Sequence, residues 1–136
     1  MSKRSNSRKL AMRLVYQFGI RNADLTVLFA DLDTDPYAPE TVTWAYDLAE
    51  KTVTHLDVID TAIAEHSHHW DMDRLNHVDK ALLRMAIAEI HYIGTPFQVV
   101  INEILELSKQ YSTEESTTFI NGILDAYVKQ ACLPES

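Results

Sequence analysis

Lys3, Arg4, Arg8, Lys9 and Arg13 fall in one stretch, KRSNSRKLAMR, that has no acidic residue, and Tyr16 follows one turn later. Ammonium and guanidinium groups at that density neutralise phosphates, and a neighbouring tyrosine ring offers a surface on which an unpaired base can stack. Counting about 100° per residue, Ala11, Leu14, Val15 and Phe18 form an apolar stripe, and the reading assigns Arg8, Lys9, Arg13, Tyr16 and Gln17 to the opposite, exposed face. A solvated helix face accounts for the same residues. A second cluster, His66, His68 and His69, has Glu65, Asp71 and Asp73 beside it and could offer imidazoles to a metal, although solvated helix-end histidines are the plainer reading. His55, His77 and His91 stand alone in the sequence, and each is expected at the surface or in a hydrogen bond. No nucleophile elbow, Walker loop or glycine-rich dinucleotide turn is present, and the carboxylates are spread as solvating groups are. Nothing here points to an enzyme or to a cofactor.

The charge is divided along the chain. The net charge is −8, yet residues 1–21 hold six basic residues and no acidic one, so the other 115 carry −14. Residues 22–73 set Lys51 alone against twelve acids. A basic arm on an acidic body suggests a polyanionic partner, with a solvated charged terminus as the alternative. No apolar run approaches the roughly 20 residues of a membrane-spanning helix, and the basic N-terminus lacks a signal peptide's apolar stretch. The single Cys132 has no internal disulfide partner. These features fit a cytoplasmic protein with no membrane partner.

The elements that must position these groups are helical. Glycine and proline are scarce, apolar residues recur at three- and four-residue steps, and the chain of 136 residues fits a single all-α domain with a helical half over about 5–70 and another over about 74–133. Asn76 is expected to cap a helix carrying Val78, Leu82, Met85, Ala86 and Ile90, with Gly94 ending it. Thr95, Pro96 and Gln98 have the spacing of a capping box opening a helix whose inner face is Phe97, Val100, Ile101, Ile104, Ser108 and Tyr111; Ser112 and Glu115 have the same spacing before the last helix. Gly122, inside that last helix, suggests close helix approach, and Asn102 a buried interhelical hydrogen bond. Trp44 and Trp70 read as core or core-edge anchors. In the N-terminal half, DTDPYAPE is the clearest loop, and shorter helices are expected on either side of it.

Three stretches, VDKALLRMAIAEI (78–90), TPFQVVINEILELSKQYSTEES (95–116) and FINGILD (119–125), resemble the successive signatures of the NusB family of bacterial transcription antitermination factors, and SRKLAMRLVYQ (7–17) resembles that family's opening helix. The resemblance covers most of the chain and is weakest in the acidic middle. It implies an all-α fold of about seven helices in two helical subdomains. It also implies a function: members pair with the small ribosomal subunit protein NusE, the pair binds single-stranded boxA-type RNA, and an antitermination complex assembles on RNA polymerase, notably on ribosomal RNA operons.

By the same resemblance, Lys3, Arg4, Arg8 and Lys9 match the family's RNA-contacting segment and Tyr16 its first-helix tyrosine. Arg84, Glu115 and Phe119 match positions on the RNA face, and Asp79 matches an acidic position on the partner side. Members lack catalytic residues. The chain departs from the pattern at KRSNSR, where Ser5 and Asn6 interrupt the arginine run and predict fewer phosphate contacts. An alternative is a NusB-like helical protein–protein adaptor with weakened or lost RNA binding. Ribosomal RNA cytosine methyltransferases carry a similar domain ahead of a catalytic one, a role that these residues could serve only as a fragment, and a metal-responsive regulator would use the three clustered histidines. A homodimer is compatible with the resemblance and would compete with RNA if it covered the basic helix.

Overall fold

The computed structural model describes residues 3–67 and 75–130. Among the described residues seven α-helices run in chain order: α1 (Lys3–Arg21), α2 (Leu25–Ala30), α3 (Pro39–Thr54), α4 (Leu56–His66), α5 (His77–Ala88), α6 (Phe97–Tyr111) and α7 (Glu114–Gln130). A π-helical turn, Glu89–Ile93, extends α5, and there is no strand among the described residues.

The centre of the fold is α5, which touches α1, α3, α4, α6 and α7. Its sequence permits this because Ala81, Leu82, Leu83, Met85, Ala86, Ile87 and Ala88 leave almost no polar side, and a helix that is apolar nearly all round has to be surrounded. Leu10, Leu14 and Val15 of α1, Leu48 of α3, Ile59 and Ile63 of α4, Ile104 of α6 and Ile120 and Leu124 of α7 complete one continuous apolar core. The first helix packs on both α3 and α5, so its charged N-terminal turn is held at their junction.

Helix ends are set by specific groups. Asn76 caps α5, its side-chain oxygen accepting from the Asp79 N–H at 2.8 Å. The π turn closes on Gly94, whose φ of 87° only glycine adopts cheaply, and the Gly94 N–H reaches the Glu89 carbonyl at 2.9 Å. Asn22 ends α1 in the same left-handed region, at φ 53°. Pro39 opens α3, where its missing N–H costs nothing.

Several expectations are corrected. Thr95 does not cap α6: Pro96 holds the cap position and no side chain closes it. Before α7 the cap is Thr113, whose Oγ1 accepts from the Ser116 N–H at 3.0 Å, and Ser112 is used elsewhere. Gly122 permits no close approach, since a Cβ there would meet nothing within 4 Å. Asn102 is exposed, as is Tyr111, so neither lies on the inner face of α6.

Candidate nucleic-acid interface

The largest correction concerns Arg8, which is only 3% exposed. Its guanidinium forms a two-pronged ion pair with Glu89, Nε donating to Oε1 at 2.9 Å and Nη2 to Oε2, and Glu89 is fully buried. Nη1 donates to Glu103 on α6 at 3.4 Å, and the Ser5 hydroxyl donates to the same Glu103 oxygen at 2.7 Å. The planar fork of arginine matches a carboxylate edge, which a lysine point charge would not. Arg8 therefore ties the start of α1 to the end of α5 and to α6 and is not a surface cation. Ser5, which interrupts the basic run, turns toward α6.

The cations of α1 that do face outward are Lys3, Arg4, Arg13 and, at its far end, Arg21, with Lys9 half-exposed. Lys3 and Arg4 line a groove of about 630 Å³ between the first turn of α1 and one face of α3, with Ser7, Glu40, Trp44 and Asp47 among its other walls. The Lys3 ammonium donates to Glu40 at 2.7 Å, and this hydrogen bond, with the charge behind it, holds the Glu40 carboxyl below the ordinary carboxylate value. The Arg4 guanidinium lies 4.1 Å from the Trp44 ring centroid and that of Arg8 5.4 Å from it. Trp44 is partly buried against the core, as its anchor reading requires, yet part of the indole remains open to the groove.

A second site gathers at the first turns of α5 and α7. Asn76, Asp79, Thr113, Glu115, Ser116 and Phe119 surround a cavity of about 240 Å³. Asp79, 3% exposed, accepts from the Ser112 hydroxyl at 2.7 Å and from the Ser116 hydroxyl at 2.6 Å. It fixes the α6–α7 corner onto α5, and its carboxylate is spent on that. Glu115 is exposed and Phe119 half-buried at the rim. Tyr16 is half-buried too, meeting the His77 ring edge-on with centroids 6.4 Å apart, so α1 reaches the neighbourhood of this second site.

Arg84 belongs to neither cavity. Its Nε and Nη2 donate to the two carboxylate oxygens of Asp60 at 2.8 and 2.9 Å, joining α5 to α4, and its Nη1 would lie 3.3 Å from a Cβ added at Gly19. The nine candidate positions thus divide. Lys3 and Arg4 share one groove, and Asp79, Glu115 and Phe119 another. Lys9 and Tyr16 are half-exposed on α1, whereas Arg8 and Arg84 hold helices together.

Among the histidines, His66 is buried with Nδ1 2.7 Å from the Ala62 carbonyl oxygen, not solvated at a helix end. His68 and His69 lie outside the described residues, and no group of three possible ligands that could hold a metal occurs among the described ones. His55 stacks on Tyr92 at 3.9 Å between ring centroids. No helix of the described chain is long and apolar enough to cross a membrane.

Residues 5–129 match the model of the NusB family. The chain belongs to the NusB family. Transcription antitermination protein NusB of Solibacter usitatus is 36% identical over 143 residues, covering 99% of this chain and 93% of that one. The NusB of a Nitratiruptor species is 35% identical over 131 residues, covering 96% and 94%. A chain in the crystal structure of antitermination factors NusB and NusE in complex with dsRNA superposes with a TM-score of 0.86 at 27% identity, covering 96% of this chain and 98% of that chain. The all-α fold is that of NusB structures.

Sequence reasoning missed Glu89 and Glu103 as the partners of Arg8, and Trp44 as the floor of the groove. The signal for Arg8 was available: on a helical wheel it falls about 20° from Val15, inside the apolar stripe. Its charge, not its angle, placed it outside.

Proposed function

We propose that this NusB-family chain is a transcription antitermination factor that binds RNA together with a NusE-type ribosomal protein, in the cytoplasm and without catalytic activity or a cofactor. The observation that carries the reading is the outward-facing cationic first turn of α1, Lys3 and Arg4, on a body that is otherwise acidic. Repulsion from the acidic surface confines an RNA strand to that end, and the same surface attracts a basic protein. Likeness to the NusB chain of the NusB–NusE–dsRNA complex supports both partners.

In this reading Lys3, Arg4 and Lys9 contact phosphates, and Tyr16 of α1 with Glu115 and Phe119 of α7 border the strand further on. Arg8 and Arg84 act through the helices they hold. Asp79 acts on the partner side by shaping the α7 corner. The target is a boxA-type single strand on ribosomal RNA operons, recruited with RNA polymerase.

Fluorescence anisotropy with a labelled boxA-like single strand and a duplex of the same sequence, with and without NusE and at two salt concentrations, tests this. Salt-sensitive binding strengthened by NusE and lost in Lys3→Ala/Arg4→Ala is expected, with the single strand preferred. Binding of NusE without RNA binding would leave a NusB-like adaptor, and a homodimer that dissociates on adding RNA would place the basic helix in a self-interface.

A further inference from the structure

The groove between α1 and α3 combines three chemistries that one nucleotide can satisfy together. Glu40, Trp44 and Asp47 lie at i, i+4 and i+7 on α3, so they form one stripe with the indole in the middle and a carboxylate on each side. Lys3 and Arg4 form the facing wall. The volume, about 630 Å³, suits a nucleoside. An indole is a stacking platform for any base, and the two cations answer a phosphate. The carboxylates are what make the site selective. A carboxylate only accepts hydrogen bonds, so it pairs in two-pronged fashion with a base edge that presents two adjacent donors. Guanine has such an edge, N1–H beside N2–H₂. Adenine, cytosine and uracil do not.

We propose that this groove binds a guanine nucleotide of the RNA strand, stacked on Trp44, with Asp47 accepting from N1–H and N2–H₂ and Lys3 and Arg4 on the flanking phosphate. The proposal rests on the RNA-binding reading above and names a base-specific contact within it. In the free protein Arg4 takes the place of the base: its planar guanidinium lies over the indole at 4.1 Å, in an exposed cation–π contact that costs little to displace. Asp47 is likewise held only by Lys51 four residues on, at 2.9 Å, a half-exposed pair that exchanges readily. Glu40 is engaged by Lys3 and stays with it until a phosphate competes for the ammonium. All three interactions in the groove can therefore give way to a ligand of matching shape and charge.

Oligouridine strands with one central guanine, adenine or inosine, titrated by anisotropy in the presence of the ribosomal partner, test the proposal. Purines stack alike, so guanine against adenine isolates the edge contact, and inosine removes only the N2 donor. The wild type should bind the guanine strand about tenfold tighter than the adenine strand, with inosine between. Trp44→Ala should weaken the guanine strand by roughly five- to hundredfold, and Trp44→Phe, which keeps a ring, by less. Asp47→Asn should bring guanine and adenine within about twofold of each other. Circular dichroism melts establish which variants fold, and if Trp44→Ala does not, Trp44→Phe and Asp47→Asn decide. RNA binding that is indifferent to guanine, or an Asp47→Asn variant that keeps the preference, overturns the guanine site and leaves the RNA reading standing. A wild type that binds none of the strands, with or without the partner, overturns both.

Discussion

Arg8 and Glu89 show how a residue type can mislead about a role. Both side chains are almost wholly out of water, so the pair has surrendered hydration that only their mutual geometry returns. Removing Arg8 leaves the buried Glu89 carboxylate without its counterion. Arg8→Ala should therefore lower the free energy of unfolding by about 3–5 kcal/mol, read as a fall in urea midpoint with unchanged m-value. If Arg8 were a solvated RNA contact, the same substitution would stay within about 0.5 kcal/mol. The partners of Arg8 were not legible in the sequence, because they stand 81 and 95 positions away and the periodicity of one helix says nothing about what another brings to it. The angular position of Arg8 was legible and was outweighed by its charge. Arg13 was read correctly as exposed, since its helical angle sets it opposite the apolar stripe.

At the scale of elements, the clearest sequence signals were those in which a side chain must complete a backbone. Asn76 before α5 and Gly94 after the π turn were both legible, because an orphan N–H and a left-handed φ each admit few residue types. The α6–α7 corner was misread by one position because Ser112 and Thr113 are chemically equivalent as caps. Only the buried Asp79 decides between them: it takes the Ser112 hydroxyl, and Thr113 is left to close α7. Thr113→Ala should cost about 0.5–2 kcal/mol, the usual cap contribution. Ser112→Ala should cost about 1–3 kcal/mol, because it withdraws a donor from a buried carboxylate. Urea denaturation of the two variants separates these mechanisms if Asp79→Asn reduces the effect of the second and not of the first. Gly122→Ala goes the other way. With open space around the missing Cβ, and glycine's helical cost of about 1 kcal/mol removed, the variant should melt at higher temperature. Further along α7, burial pushes the Tyr127 phenol above its ordinary 10.0. A raised acid is protonated more tightly in the folded state, so its contribution is intact below about pH 10 and disappears as the pH climbs through the folded value. Tyr127→Phe should accordingly flatten the alkaline limb of a stability–pH curve.

Across the whole molecule the distribution of charge sets how much electrostatics can do. Of the basic residues in α1, Arg8 is consumed internally and Arg21 stands at the far end of the helix, so Lys3, Arg4, Lys9 and Arg13 are the cations toward its N-terminal end that can meet phosphates, Lys3 after releasing Glu40. Each phosphate neutralised on a single strand contributes about 0.7 to the slope of log affinity against log salt, so four contacts give a slope near −3. That is shallow for a protein relying on charge alone. Base stacking and a second protein must then supply the rest of the affinity. In the proposed function the acidic stretch 22–73, with its single lysine, attracts a basic partner through a field that salt screens over about 8 Å at physiological strength. Binding of NusE should therefore weaken with salt by a different mechanism, mainly through the association rate. Stopped-flow association at several salt concentrations, set beside equilibrium titration of RNA, distinguishes the two. An RNA slope much steeper than −3 would mean that the strand also reaches cations beyond α1, such as Lys80 or Lys109. A NusE association rate indifferent to salt would mean that the acidic body serves solubility and not partner choice.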